Sequence, residues 1–175
     1  EPIGQMLDIG TGTGRVIELF GPAADHVTAL DRSPDMLRLA RAKLPEDATG
    51  KYALTLGDFS DLPLETESSD TILLHQVLHY AQAPELVIAE AARVARIGGR
   101  VLIADFAPHE REELRVRDQH SRLGFSDDQI QGWFARAGLD LERVESLPGQ
   151  ELTVQLWLGR RRGARILRHE ERISA

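Results

Sequence analysis

Residues 7–15, LDIGTGTGR, constrain the fold of this chain more than any other segment. Three glycines alternate directly after a short apolar run, and the pattern at 15–20 continues as a helix. Glycines between a strand and a helix let a ligand approach the backbone closely, and they leave amide donors free at the start of the helix. The segment therefore predicts a strand, a ligand-binding loop and a helix, the opening unit of an α/β fold.

Two aspartates beside this loop narrow the choice of ligand. The spacing D-x-G-x-G-x-G differs from the G-x-G-x-x-G loop of dinucleotide-binding domains. Asp8 ends the first strand, where its carboxylate would repel a pyrophosphate and attract an ammonium or sulfonium group. Asp31 ends the second strand, where it can accept hydrogen bonds from both hydroxyls of a ribose, unless it only precedes the helix cap that Ser33 provides. A cationic nucleoside fits both carboxylates.

The end of the third predicted strand carries groups suited to adenine. Asp58 can accept a hydrogen bond from the adenine amino group, and Phe59, after Gly57, can supply an aromatic wall. Met36, one turn into the second helix, either covers the other face of adenine or fills the core. The predicted nucleoside site therefore extends across three strand ends.

Apolar runs and helical segments alternate along the chain, which is typical of a parallel sheet with helices on both faces. We predict strands at 5–9, 26–31, 52–56, 71–74 and 100–106, and helices at 15–20, 34–44 and 84–94. The charged segment 109–122 predicts a surface helix, and Ser126 with Gln129 forms a capping box for a helix that ends near Gly138. Alternating runs at 139–147 and 152–158 predict a terminal hairpin.

Composition limits the organisation of the chain and its partners. The 175 residues, 42% of them hydrophobic, suit one domain, which we place at 1–159, followed by a basic C-terminal tail at 160–175. The net charge of −7 gives no general attraction to nucleic acid or to anionic membranes, so a small-molecule partner is expected. There is no cysteine for a disulfide or a thiolate metal site, and no apolar run reaches the roughly 20 residues that span a bilayer. We expect a cytoplasmic protein.

Five motifs occur in the order and spacing of class I S-adenosylmethionine-dependent methyltransferases: LDIGTGTGR, LDRSPDML, GDFSDLPL, SDTILLHQVLHY and RVARIGGRVLIADF. The resemblance covers residues 5–158 and is strongest to the small-molecule branch that includes ubiquinone and menaquinone methyltransferases. The later motifs DFAPHE, RLGFSD and LTVQLWLGRR resemble bacterial proteins in which such a domain follows an ArsR-type winged-helix regulator. The resemblance implies a Rossmann-like α/β fold, in which helices cover both faces of a mostly parallel seven-stranded sheet with a terminal antiparallel hairpin.

The resemblance also implies S-adenosylmethionine as cofactor, S-adenosylhomocysteine as product, and a role for each site residue. The methionine end would lie by Asp8, Gly10, Thr11, Gly12, Gly14 and His75, the ribose by Asp31 and Arg32, and the adenine by Met36, Gly57, Asp58 and Phe59. Ile97 replaces the proline that usually precedes Gly98 and Gly99 in this family, which loosens a turn. The helices that precede the first strand in the family do not occur in this sequence, so we expect cap helices or a winged helix upstream of Glu1.

Candidate catalytic residues follow the fourth strand in the segment HQVLHY. His75 and His79 are spaced as in the H-E-x-x-H zinc motif, but Gln76 replaces the glutamate base, and no metal is expected. His79 and Tyr80 either face the methyl acceptor or only pack against the helix start and cap it. A base is needed only if the acceptor must lose a proton, and His79 or His109 can supply one near neutral pH.

Two functions are compatible with these residues. The first is methyl transfer to a small-molecule acceptor. The second is sensing of S-adenosylmethionine or S-adenosylhomocysteine by a module of an ArsR-type transcriptional regulator, in which only the upstream domain would contact DNA. Asp8 and the glycine spacing disfavour NAD-dependent oxidation. A homodimer is compatible with both functions. The sequence upstream of Glu1 would distinguish them, because a winged helix there would favour the sensor.

Overall fold

The computed structural model describes residues 1–45 and 50–163. Within these residues the central sheet has seven strands in the order β3-β2-β1-β4-β5-β7-β6. The strands are β1 (Gln5–Ile9), β2 (His26–Asp31), β3 (Tyr52–Leu56), β4 (Ser69–His75), β5 (Ala95–Phe106), β6 (Leu139–Pro148) and β7 (Thr153–Arg161). Strands β1 to β5 pair in parallel, whereas β7 is antiparallel to both β5 and β6. The predicted mostly parallel sheet with a terminal hairpin is confirmed.

Helices pack on both sides of this sheet. In the described part of the chain they are α1 (Arg15–Phe20), α2 (Pro34–Lys43), α3 (Pro84–Val94), α4 (Glu113–Arg117) and α5 (Asp127–Ala137), with 3-10 turns at Gly21–Ala23 and Leu78–Tyr80. The Ser33 hydroxyl caps α2, and Ser126 with Gln129 forms the predicted capping box of α5. Among the described residues, no helix combines the length and the apolar character that a membrane crossing requires.

The alternation of side chains along the strands divides the core into two layers. On one face, Leu7 of β1 packs in a cluster with α3 and α5, which contribute Ile88 and Phe134. On the other face, Met6 of β1 packs with α1 and α2, which contribute Ile17 and Ala40. Successive residues of a strand point to opposite faces, so a strand covered by helices on both sides is apolar throughout. Asp8 breaks this apolar run at a buried position, which marks the site.

The charged segment 109–122 does not form the single surface helix that its composition predicts. Only α4, five residues long, is helical there. The chain then turns at Gln119, which adopts a left-handed conformation with φ of 58°, and buries the side chain of His120. The backbone N–H groups of Ser121 and Arg122 donate to the carbonyl of His79 rather than to a helix. Tertiary contacts therefore override local helix propensity in this segment.

Four strands extend further than predicted: β4 by two residues at its start and one at its end, β5 by five at its start, β6 by one at its end and β7 by three at its end. β5 begins at Ala95, five residues before the predicted start at Arg100, because Ala95 pairs with Ser69 across an irregularity in the ladder. β7 includes Arg160 and Arg161, so it ends two residues beyond the predicted domain boundary at residue 159. Residues 164–175 of the predicted basic tail lie outside the described residues.

Candidate cofactor and acceptor site

A cleft with a volume of about 500 Å³ lies at the carboxyl edge of the parallel strands. Parallel α/β sheets bind ligands at this edge, where loops follow the strand ends. Of the predicted site residues, those that line the cleft are Asp8, Gly10, Thr11, Gly12, Asp31, Arg32, Met36, Gly57, Phe59, His75 and Tyr80. Gly14, Asp58, His79 and His109 are not among its lining residues.

The glycine loop is held in place by the end of β2. The N–H groups of Gly10 and Thr11 both donate to the carbonyl of Leu30, at 2.8 and 2.9 Å. A side chain at Gly10 would collide with Val77, since a Cβ there would lie 2.3 Å from the Val77 Cγ2 atom. Gly14 has another purpose: its φ is 82° and its added Cβ would lie 3.0 Å from the Ala40 Cβ atom, so it permits close packing of α1 on α2.

Asp8 is a buried carboxylate beneath the loop, with 1% of its surface exposed. Among the described residues, neither its Oδ2 atom nor the buried Thr11 hydroxyl has a hydrogen-bond partner. Burial raises the pKa of Asp8 to about 7, the adjacent Thr11 hydroxyl opposes this shift although it lies outside standard hydrogen-bond geometry, and the nearby Asp31 carboxylate adds to it. A cationic group of a bound cofactor would supply the partner that the carboxylate lacks, so the residue fits the ammonium end of S-adenosylmethionine.

Asp31 is oriented by two backbone donors. Its Oδ2 atom accepts from the N–H of Gly12 at 2.8 Å, and its Oδ1 atom accepts from the N–H of Ser33 at 2.9 Å. The helix cap itself is provided by Ser33, whose hydroxyl accepts from the N–H of Met36 at 3.3 Å. Each carboxylate oxygen retains a lone pair for a further donor. The geometry suits two ribose hydroxyls, and this role of Asp31 stays a prediction.

At the predicted adenine end, Phe59 lines the cleft and Asp58 does not. Met36 also lines the cleft, and Phe59 is partly buried against the larger core. Asp58 is exposed and accepts from the N–H of Ser60 at 2.7 Å and from its hydroxyl. These hydrogen bonds from Ser60 lower the pKa of the Asp58 carboxyl below its ordinary value. The carboxylate is therefore already engaged in a turn.

Five further lining residues lie at or beyond the ends of β4 and α4, and we call this set the acceptor wall: His75, which the resemblance assigns to the methionine end of the cofactor, Gln76, Val77, Tyr80 and Gln119. Burial, then the Asp118 and Asp105 carboxylates, raise the pKa of the Tyr80 phenol, so Tyr80 is neutral at physiological pH. Gln119 was not predicted from the sequence, because a glutamine in a charged segment carries no recognisable signal. It reaches the cleft only through the turn that buries His120.

His79 lies behind the acceptor wall and is 2% exposed. Its ring Nδ1 atom is 2.8 Å from the Oδ1 atom of Asp105, which is fully buried at the end of β5. His75 ends β4 whereas His79 lies in a 3-10 turn, so the two do not share an α-helical face. No group of three or more metal-ligating side chains suited to a metal ion occurs within residues 1–45 and 50–163.

Two further histidines lie near His79. The ring of His120 is 4.1 Å from that of His79, and the ring of His109 is 6.1 Å from that of Phe106, measured between centroids. Burial lowers the pKa of both His109 and His120, which makes both rings neutral at physiological pH. His109 Nδ1 accepts from the N–H of Arg111 at 3.3 Å. The catalytic roles predicted for His79 and His109 stay predictions.

A second cavity, of about 350 Å³, lies on one face of the sheet. Its walls are mostly apolar side chains of β4, β5 and β7, including Leu73, Leu102 and Leu156. It also contains the charged side chains of Arg100, Arg143 and Glu145, and it contains none of the predicted site residues.

Comparison with known proteins agrees with this geometry. The family described as "Methyltransferase domain" matches residues 7–103. Malonyl-(acyl-carrier protein) O-methyltransferase of Laribacter hongkongensis is 31% identical over 163 residues, which cover 80% of this chain and 54% of that protein. Demethylmenaquinone methyltransferase of Tropheryma whipplei is 33% identical over 151 residues, covering 82% and 62%. The solved structure of magnesium protoporphyrin IX methyltransferase from Synechocystis, with S-adenosylhomocysteine bound, superimposes with a TM-score of 0.72 at 19% identity, covering 89% of this chain and 73% of that chain.

The chain belongs to the methyltransferase domain family, as a class I domain whose cofactor is S-adenosylmethionine. It spans 54% and 62% of the lengths of the two relatives named above. The predicted family, fold class and cofactor are confirmed.

Proposed function

We propose that this domain transfers the methyl group of S-adenosylmethionine to a small-molecule acceptor bound at the carboxyl ends of β4 and β5. The observation that carries the proposal is the pairing of two features in one cleft. The cofactor side has the buried Asp8, whose Oδ2 atom has no hydrogen-bond partner among the described residues, and the acceptor wall contains no aspartate, glutamate, lysine or arginine. The cleft therefore has a place for a cation and a separate place for an uncharged molecule.

In this proposal the residues of the cofactor side bind and orient. Asp8 holds the ammonium group of the methionine end, Asp31 accepts from the ribose hydroxyls, and Phe59 packs against the adenine. When bound, S-adenosylmethionine supplies an electrophilic methyl group on a sulfonium that is a good leaving group. Alignment of nucleophile, methyl carbon and sulfur then provides most of the catalysis, and such positioning contributes on the order of 7–11 kcal/mol in favourable cases.

The acceptor uses a lone pair to form a bond to the methyl carbon while the carbon–sulfur bond breaks, and the electron pair of that bond stays on sulfur in S-adenosylhomocysteine. A proton on the acceptor atom leaves to water or to a base. Tyr80 faces the cleft and is the protein group best placed to contact the acceptor. His79 and His109 remain candidates for the base, although neither lines the cleft.

A second candidate function is a cofactor-sensing module of an ArsR-type regulator, supported by the resemblance of DFAPHE, RLGFSD and LTVQLWLGRR to that group. Such a module would bind S-adenosylmethionine or S-adenosylhomocysteine in the same cleft and contact DNA only through an upstream domain. Homodimer formation and a cytoplasmic location suit both functions.

Calorimetry with S-adenosylmethionine, S-adenosylhomocysteine and NAD tests the cofactor assignment, and transfer of a radiolabelled methyl group to a panel of quinols, phenols, amines and thiols tests the activity. We expect both sulfur nucleosides to bind, NAD not to bind, and at least one acceptor to be labelled. Binding of NAD alone would contradict the assignment. Tight binding of S-adenosylmethionine without labelling of any acceptor would favour the sensor.

A further inference from the structure

The polar contacts of His79 are made with the end of β5 and with residues 121 and 122, and not with the cleft. Its backbone N–H donates to Asp105 Oδ2 at 3.2 Å, and its ring Nδ1 lies 2.8 Å from Asp105 Oδ1. Its carbonyl accepts from the N–H groups of Ser121 and Arg122 at 2.9 and 3.0 Å. A carboxylate beside Nδ1 selects the tautomer in which Nδ1 carries the proton. His79 is thus fixed through its backbone and its ring together.

Asp105 completes this connection from the end of β5. Its Oδ1 atom also accepts from the N–H of Phe106 at 2.8 Å, so the carboxylate receives hydrogen bonds from two segments of the chain. The Ser121 hydroxyl donates to the carbonyl of Tyr80 at 3.0 Å, and Arg122 donates to the carbonyl of Gln82 at 2.6 Å. The turn Leu78–Tyr80 and residues 118–122 are therefore fastened to each other and to β5.

The residues next to this buried pair are the ones that reach the cleft. Tyr80 follows His79 in the chain, and their ring centroids are 4.1 Å apart. Gln119 precedes His120, whose ring stacks on that of Phe106 and lies 4.1 Å from that of His79. Gln119 has φ of 58°, a conformation that costs energy for a residue other than glycine and persists only where its surroundings enforce it.

From this arrangement, we propose that His79 and Asp105 form a positioning pair, which holds Tyr80 and Gln119 in place as contacts for an uncharged, hydrogen-bonding methyl acceptor. The inference rests on the proposed function and specifies the class of its substrate. None of the five lining residues of the acceptor wall is an aspartate, glutamate, lysine or arginine, so the wall offers no permanent ionic partner to a carboxylate or ammonium group of an acceptor. The Tyr80 phenol donates to a hydroxyl or carbonyl oxygen of the acceptor, and the Gln119 amide can donate or accept.

The positioning role can be measured without turnover. The chain contains two tyrosines, so Tyr52→Phe protein labelled with 3-fluorotyrosine gives a single fluorine NMR resonance, from position 80. We expect His79→Ala to move this resonance toward that of free 3-fluorotyrosine, while His26→Ala, at the first residue of β2 and the opposite edge of the sheet, leaves it unchanged. An unchanged resonance in folded His79→Ala protein would overturn the positioning role. If His79→Ala fails to fold, His79→Asn provides the same comparison.

The acceptor class is tested with hydroquinone and gentisate, which differ by one carboxylate. In the complex with S-adenosylhomocysteine, we expect hydroquinone to shift the fluorine resonance at position 80 and gentisate to require at least tenfold higher concentration. Equal or tighter binding of gentisate would overturn the uncharged class. Failure of S-adenosylhomocysteine to bind would instead contradict the proposed function, so the two failures are distinguishable.

Turnover then separates a positioning residue from a base. For whichever acceptor is methylated, we expect Tyr80→Phe and His79→Ala each to raise KM by about fivefold or more, with cofactor affinity within twofold of wild type. The double variant should be no worse than the more impaired single variant, because both changes remove the same contact. Multiplicative losses, with disappearance of the acidic limb of the pH profile in His79→Ala alone, would identify His79 as a base and overturn the inference.

Discussion

Asp8 and Asp105 are both buried carboxylates at the carboxyl edge of the sheet, with 1% and 0% of their surfaces exposed, but their surroundings differ. Asp105 receives hydrogen bonds from the N–H and ring of His79 and from the N–H of Phe106. Asp8 Oδ2 has no partner among the described residues. A buried charge is stable only when it is paired, so the protein satisfies Asp105 by itself, whereas Asp8 suits a ligand that completes it. Two equally buried carboxylates therefore differ in whether the protein itself supplies all of their hydrogen-bond partners.

The largest expected effect is on stability, in Asp105→Ala. Loss of this carboxylate leaves two backbone N–H groups and the His79 ring without their acceptor in a buried region. Leaving a buried donor without its acceptor typically costs about 1–3 kcal/mol of unfolding free energy, and here three donors lose theirs. Urea denaturation at neutral pH measures this loss. If Asp105→Ala is as stable as wild type, the hydrogen bonds of Asp105 do not stabilise the fold, and Asp105 does not differ from Asp8 in the way described above.

The next effect is on cofactor affinity, in Asp31→Ala. If the carboxylate accepts from both ribose hydroxyls, its loss removes charge-assisted hydrogen bonds of about 1.5–3 kcal/mol, which corresponds to a tenfold or greater rise in the Kd for S-adenosylhomocysteine. Asp35→Ala is the matched control, because Asp35 is an exposed carboxylate in the first turn of α2. Calorimetry should show a loss in the first variant only. A folded Asp31→Ala protein with wild-type affinity would show that the ribose is held elsewhere.

A smaller effect concerns the pH dependence of stability without ligand. The folded pKa of Asp8 is about 7, above its ordinary value near 4, so between these values the folded protein retains a proton that the unfolded chain releases. The contribution of Asp8 to unfolding free energy therefore falls as pH rises through this window, by about 2 kcal/mol between pH 5 and pH 7. Asp8→Asn should lack this contribution. Identical pH profiles for the two proteins, in urea denaturation, would exclude a perturbed Asp8.

Cofactor binding has the opposite pH dependence at the same residue. Protonated Asp8 cannot pair with an ammonium group, so lowering the pH from 8 to 6 should weaken S-adenosylhomocysteine binding by about tenfold, as expected for a group that titrates near 7. Asp8→Asn should bind weakly at every pH, with a flatter profile. Unchanged wild-type affinity across this range would separate Asp8 from the cofactor ammonium group.

The two sides of the cleft also differ in how far the sequence predicts them. The cofactor side is assembled from local features, a glycine loop and an acidic residue at a strand end, and Asp8, Asp31 and Phe59 all lie in the cleft as expected. The acceptor wall depends on the packing of Leu78–Tyr80 against residues 118–122, which are about 40 residues apart in sequence. The charge pattern of that second segment predicts a helix, and only tertiary contact turns Gln119 into the cleft.

The smallest expected effect is on cofactor affinity in Asp58→Ala. The sequence predicts that Asp58 and Phe59 bind adenine together, but their surroundings in the structure differ. Phe59 lines the cleft, whereas Asp58 is exposed and engaged with Ser60. An exposed hydrogen bond contributes about 0.5 kcal/mol, so Asp58→Ala should raise the Kd for S-adenosylhomocysteine only about twofold, with exposed Asp61→Ala as the matched control. Phe59→Ala, which removes an apolar wall, should weaken binding more than Asp58→Ala in the same calorimetric series. A tenfold loss in Asp58→Ala would mean that the carboxylate leaves Ser60 and turns into the cleft when the cofactor binds. The adenine end would then rearrange on binding, whereas Asp31 is already oriented by the N–H groups of Gly12 and Ser33.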